Sequence, residues 1–114
     1  MRPRKVVLLA KRNEAQASML KFMLETRGPF RVITASTKET ALELFDTWRV
    51  DLALIEFPAI AEEIRERDVD THIVFFGGTE YPFLPHNAAP AEVLSMVQLH
   101  TARKRGPKKS ETAA

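Results

Sequence analysis

The sequence predicts an α/β protein in which a parallel β-sheet is covered by helices on both faces. Three observations carry that reading. The runs "KVVLLA" (5–10), "DLALIEF" (51–57) and "HIVFFG" (72–77) are continuously apolar and rich in β-branched residues, the pattern of strands buried on both faces. The segments between them carry helical periodicity. The connections are short, so strand and helix alternate, and right-handed crossovers then place the helices on the two faces of one sheet.

Each element has a local reason. After the strand at 5–10, Asn13 is a helix cap, with Gln16 three residues on as in a capping box. The helix places Ala15, Met19, Phe22 and Met23 on one face with Leu20 and Leu24 beside it, and that side is the expected core face. Gly28 is a natural stop. "FRVITA" (30–35) alternates enough for a strand near a sheet edge. Ser36 and Glu39 form a second capping box before a helix whose packing stripe is Ala41, Leu44, Phe45 and Trp48; Trp48 is expected in the core. Pro58 suits the first turn of a short third helix anchored by Ile60, Ala61 and Ile64. Gly77 and Gly78 end the strand at 72–77. "TEYPFLPHNAA" has two prolines and no periodicity. Pro90 opens a last helix, with Val93, Leu94 and Val97 inward, that runs to about residue 102.

Length and composition bound the rest. At 114 residues with 45% hydrophobic content, the chain is one domain with an ordinary core. It has no cysteine, which excludes disulfides, thiolate catalysis and cysteine-based zinc sites and fits a reducing, cytoplasmic setting. No segment approaches the roughly 20 apolar residues of a membrane span, and the N-terminal apolar run reads as a strand rather than a signal peptide. The whole chain carries +2. Residues 101–114 hold Arg103, Lys104, Arg105, Lys108 and Lys109 against Glu111, a net of +4, which leaves −2 for residues 1–100. The expected division is a folded domain at 1–102 and a basic, disordered tail at 103–114. Such a tail either solubilises the chain end or touches nucleic acid or an acidic partner.

Over residues 5–56, "VVLLAKRNEAQASMLKFMLETRGPFRVITASTKETALELFDTWRVDLALIE" resembles the receiver domain of bacterial response regulators, almost position by position. "FLPHNAAPAEVL" is similar to that family's segment after its fourth helix. The resemblance covers more than half the chain and implies a flavodoxin-like, three-layer sandwich. It also implies phosphoryl transfer to an aspartate at the C-terminal ends of the strands, the ligand edge of such sheets. The sequence departs from the family at each position that would perform it. Lys11 and Arg12 stand where the family's magnesium-binding acidic pair would be. Glu56 replaces the phosphoacceptor aspartate and Gly77 the switch threonine or serine. His86 replaces the phosphate-binding lysine and Asn87 the proline after it.

Those replacements oppose the chemistry. Mg²⁺ takes hard oxygen ligands in octahedral geometry, whereas two cations repel it and offer no lone pairs. Without the metal, nothing neutralises charge on a transferring phosphoryl group. Glu56 carries its carboxylate about one C–C bond further out than aspartate would, and Gly77 has no hydroxyl. The reading is a degenerate pseudo-receiver: not an enzyme, with no cofactor and no metal. Lys11, Arg12 and Glu56 are expected to form an internal ion pair in place of metal and phosphate. His72, His86 and His100 lack metal-ligand spacing, "FFGGTE" lacks a phosphate-loop pattern, and the chain order supports no Ser/His/Asp arrangement.

The chain is also shorter than the family. Residues 79–82 cannot supply the dozen-residue crossover of a parallel strand, and Pro82 and Pro85 disfavour a central strand. The expected sheet therefore has four parallel strands in the order 2-1-3-4, with a trimmed third helix, a missing or remodelled fourth helix and fifth strand, and 79–89 as an irregular flap. Tyr81, Phe83, Leu84 and Asn87 are candidates for a partner surface, or else the apolar ones fold back over the sheet edge. The expected function is phosphorylation-independent protein interaction in bacterial two-component-like signalling or transcription control, with homodimerisation open. The alternatives are a nucleic-acid-associated regulator using the tail with Arg2, Arg4 and Lys5, and an anion or small-ligand binder at the strand tips using Lys11 and Arg12.

Overall fold

The computed structural model describes residues 5–68, 70–77, 83–85 and 88–102, with Phe83 and Ala102 described by backbone alone. The elements are β1 (Lys5–Ala10), α1 (Glu14–Arg27), β2 (Phe30–Ala35), α2 (Lys38–Thr47), β3 (Leu52–Ile55), α3 (Pro58–Arg67), β4 (His72–Phe76), β5 (Phe83–Leu84) and α4 (Pro90–Ala102). All pairings are parallel, in the order β2-β1-β3-β4-β5. The 2-1-3-4 core is the one the sequence predicts.

Strand alternation divides the core in two. Val7, Leu9, Val32, Leu52, Leu54, Val74 and Phe76 face α1 and α4, meeting Ala17, Leu20, Leu24, Val93 and Val97. Leu8, Ala10, Ile33, Ala53, Ile55, Ile73 and Phe75 face α2 and α3, meeting Ala41, Phe45, Ile60, Ala61 and Ile64. Because β1, β3 and β4 are interior strands, both their faces are apolar, which is why their sequences are continuous apolar runs.

The fifth strand corrects the four-strand expectation. Phe83 and Leu84 pair with Phe75 and Phe76, although the connection spans only residues 77–82. A long crossover is needed to walk back along a full strand. Here the chain re-enters beside the last two residues of β4, so it steps back by about one strand residue, roughly 3.3 Å, and sideways by one strand spacing. Gly77 starts that turn at a φ of 78°, the left-handed region that glycine enters without a Cβ clash. Its N–H donates to the Leu84 carbonyl at 2.6 Å. Leu84 is 4% exposed and belongs to the α1/α4 core. It is therefore not a partner-binding surface residue but folds back as cover.

Three local readings also change. The cap of α2 is Thr37, whose hydroxyl accepts from the Thr40 N–H, one residue later than Ser36. The inward face of α1 is Ala17, Leu20 and Leu24, while Ala15 is exposed and Met19 and Phe22 are 53% and 72% exposed. Both faces of α1 are rich in apolar residues, so periodicity could not choose between them. Trp48 is not core: it ends α2 as an exposed residue, and the Arg31 guanidinium lies 5.7 Å from its ring centroid. The other caps match their sequences. Asn13 accepts from the Gln16 N–H, Gly28 closes α1 onto the Leu24 carbonyl, and Pro58 opens α3.

Candidate functional site

The candidate site is the C-terminal edge of the sheet, and the register builds it. Ala10 pairs with Ile55, and Ile55 with Phe75. One residue further, Lys11, Glu56 and Phe76 fall at one level and on one face, the α1/α4 face, because side chains alternate across a strand. The backbone holds this alignment past the ends of β1 and β3: Lys11 N–H donates to the Ala35 carbonyl at 3.0 Å, and Glu56 N–H to the Ala10 carbonyl at 2.9 Å.

Within that row Lys11 is 2% exposed, and it is one of the largest fully buried side chains. Its Nζ lies 3.7 Å from Glu56 Oε2 and 4.0 Å from the centroid of the Phe76 ring. The cation thus meets a carboxylate on one side and an aromatic face on the other, contacts that help repay its lost hydration. Glu56 Oε1 accepts from the Arg12 N–H at 2.7 Å. The Arg12 side chain itself is exposed and lies over Phe57, 5.1 Å from the ring centroid. The expected cluster therefore forms unevenly: Lys11 reaches Glu56 through its ammonium and Arg12 through its backbone.

Magnesium does not fit these residues. A buried ammonium takes the position of an oxygen ligand, and each Glu56 oxygen is engaged, one with Lys11 and one with Arg12 N–H. Among the described residues, no group of three or more His, Asp or Glu is placed to hold a metal ion. Lys11 also lines two clefts, one with Ser18, Thr34 and Thr40 and one with Gln16, Leu20 and Phe76, although its side chain is 2% exposed. His72 and His100 do come together, with ring centroids 5.8 Å apart. That contact lies at the opposite end of β4, where His72 starts the strand and His100 lies in the last turn of α4. His86, Asn87 and Tyr81, the Phe83 side chain, and the tail residues Arg103, Lys104, Arg105, Lys108 and Lys109 lie outside the described residues.

Two groups of residues escape sequence reasoning. Phe76 forms the third side of the Lys11 environment, and its signal was only its place as the last residue of β4. Lys21 and Glu25 on α1 bond the backbone of β2. Their signal was an i,i+4 pair of opposite charge, which does not say what else the pair touches.

A response-regulator receiver domain protein from Clostridium thermocellum superposes with a TM-score of 0.77 at 17% identity, covering 89% of this chain and 97% of that one. The receiver domain of a Francisella response regulator gives 0.75 at 16%, covering 85% and 96%. The fold is that of a receiver domain. The response regulator TrrA from Thermotoga maritima, solved in complex with Mg²⁺–BeF, gives 0.73 at 20%, covering 84% and 98%. No protein-family model matches the chain, and no curated protein matches it by sequence. The receiver fold here carries a cation, Lys11, buried at its C-terminal edge. Among the described residues no helix is long and apolar enough to cross a membrane.

Proposed function

We propose that this chain is a pseudo-receiver: a non-catalytic module that docks a protein partner in bacterial two-component-like signalling or transcription control, in the cytoplasm, independently of phosphorylation. The observation that supports the reading is the Lys11–Glu56 contact. An ammonium buried 3.7 Å from the carboxylate at the acceptor position supplies from within the chain the positive charge that a metal would bring from outside. A carboxylate so engaged is a poor nucleophile toward a phosphoryl group, and no hydroxyl at Gly77 stands ready to hold the product. The domain then has one state at this edge instead of two, and a partner reads its shape without a switching step.

The test is direct. The purified chain is titrated with Mg²⁺ and beryllium fluoride, and separately incubated with acetyl phosphate and Mg²⁺. Amide spectra and intact mass are followed. The expected result is an unchanged mass and no saturable shift at Lys11, Arg12 or Glu56. Mg²⁺-dependent phosphate uptake at Glu56 would overturn the proposal.

A further inference from the structure

β2 is an edge strand, and such edges offer unpaired backbone groups to other chains. The alternation of its hydrogen bonds is readable. Lys5 N–H donates to the Pro29 carbonyl and Lys11 N–H to the Ala35 carbonyl, so the odd-numbered residues of β2 bond β1. Phe30, Val32 and Thr34 turn their N–H and C=O groups outward, and Val32 is the middle one. Its two outward groups are both taken by α1. The Val32 N–H donates to Glu25 Oε2 at 2.9 Å, and the Val32 carbonyl accepts from Lys21 Nζ at 3.0 Å. Lys21 and Glu25 are themselves paired at 3.3 Å, one helical turn apart.

The pair offers Val32 one acceptor and one donor, which is what the backbone of a neighbouring strand would offer. We propose that Lys21 and Glu25 are an edge guard, occupying the centre of the β2 edge so that a second copy of this chain cannot add its own β2 there. The copy is the relevant occupant because the edge is self-complementary. A two-fold axis at Val32 sets Val32 against Val32 and Phe30 against Thr34 in an antiparallel ladder, and places Arg31 opposite Ile33, so the two arginines stand diagonally and no like charges are directly opposed. Both bonds of the guard involve an ionised group, which makes them stronger than the neutral bonds of the strand they exclude. Burial pushes the Glu25 carboxyl up, but the Val32 N–H, the Lys21 ammonium and the Arg31 charge together hold it below its ordinary value. The guard therefore stays charged at neutral pH.

The full chain is compared with the double variant Lys21→Ala/Glu25→Ala by light scattering over a concentration series and by amide hydrogen exchange. The wild type is expected to protect the Val32 amide about tenfold or more over the outward amides of Phe30 and Thr34, the protection of one charge-assisted bond. The double variant should lose that protection at low concentration and double its mass as concentration rises. Adding Thr34→Pro removes an outward donor without touching the ladder to β1 and should return the mass to that of the monomer. A folded double variant that behaves as the wild type does would overturn the proposal, as would a dimer that survives Thr34→Pro. Should the double variant not fold, wild-type exchange decides alone: a Val32 amide no slower than Thr34 is fatal to the idea.

Discussion

Replacing Lys11 by methionine keeps most of the buried stem and removes the charge, so it isolates what the ammonium does at the strand tips. At 3.7 Å and an effective dielectric of about 20, the attraction to Glu56 is about 4.5 kcal/mol. Desolvation of a side chain left 2% exposed offsets much of that, while the Phe76 face returns about 0.5–2 kcal/mol. Removing one member of a fully buried pair costs about 3–5 kcal/mol. Glu56 is 13% exposed and keeps the Arg12 N–H, so water and the backbone soften the loss. The expected cost of Lys11→Met is about 2 kcal/mol. Glu56→Gln retains an oxygen for Arg12 N–H and removes the counter-charge, at a cost of about 1–2 kcal/mol.

The decisive quantity is their coupling. Independent effects would sum to about 3–4 kcal/mol, whereas the double variant leaves neither charge stranded and should lose only about 1–2 kcal/mol. Urea unfolding of the four proteins of the cycle measures this, provided the m-values agree. Raising the salt should leave the coupling nearly unchanged, because screening acts weakly on a buried pair. A coupling below about 0.5 kcal/mol would show that Lys11 and Glu56 act separately, and the account of this edge as an internally neutralised one would fail.

Other outcomes follow from single contacts. Glu25→Gln should cost about 0.5–1 kcal/mol near neutral pH. Glu25 has a lowered pKa in the folded chain, so its stabilisation is complete above the unfolded pKa and is lost as pH falls through the folded one. The gap between wild type and variant should therefore close in acid, as followed by thermal melts across that range. Leu24→Ala, at a position 0% exposed, should cost about 2–5 kcal/mol. Phe22→Ala, at 72% exposed, should cost no more than about 0.5 kcal/mol; equal losses in denaturant would refute the assignment of the α1 core face. Thr37→Ala should cost about 1 kcal/mol and Ser36→Ala much less, since Thr37 bonds the Thr40 N–H; the reverse ranking would move the cap.

What could be read in the sequence was whatever one periodicity decides. The runs at 5–10, 51–57 and 72–77 read as strands buried on both faces, and the order of the first four strands came with the resemblance to receiver domains. Where two periodicities overlap, the sequence was ambiguous. Ala15, Met19 and Phe22 share a helix face as well as Ala17, Leu20 and Leu24 do, and only the sheet beneath decides which is buried. The fifth strand was missed for a different reason. The crossover rule assumes a strand of ordinary length, and a two-residue ladder relaxes the distance that the connection must cover. The role of Glu25 was out of reach because it depends on a backbone group seven residues away, across a turn.

The candidate site was legible in part because a parallel sheet turns sequence into rows. Any residue one past the end of an interior strand stands beside its counterparts on the neighbouring strands, whatever its chemistry. That is why Lys11 and Glu56 could be expected together once the strands were placed, while Phe76, the third member of the row, was seen only in the structure. The same geometry explains why structural likeness at 16–20% identity fixes the fold and leaves the activity open. The buried residues that define the sheet do not include the character of the row at its end. A row of carboxylates there invites a divalent cation. A row that reads lysine, glutamate, phenylalanine is already neutral and already packed, so a metal entering it must displace an ammonium that has an aromatic face and a carboxylate to hold it. The charge balance of this row therefore turns on Lys11, whose contact with Glu56 is the one that the cycle puts to the test.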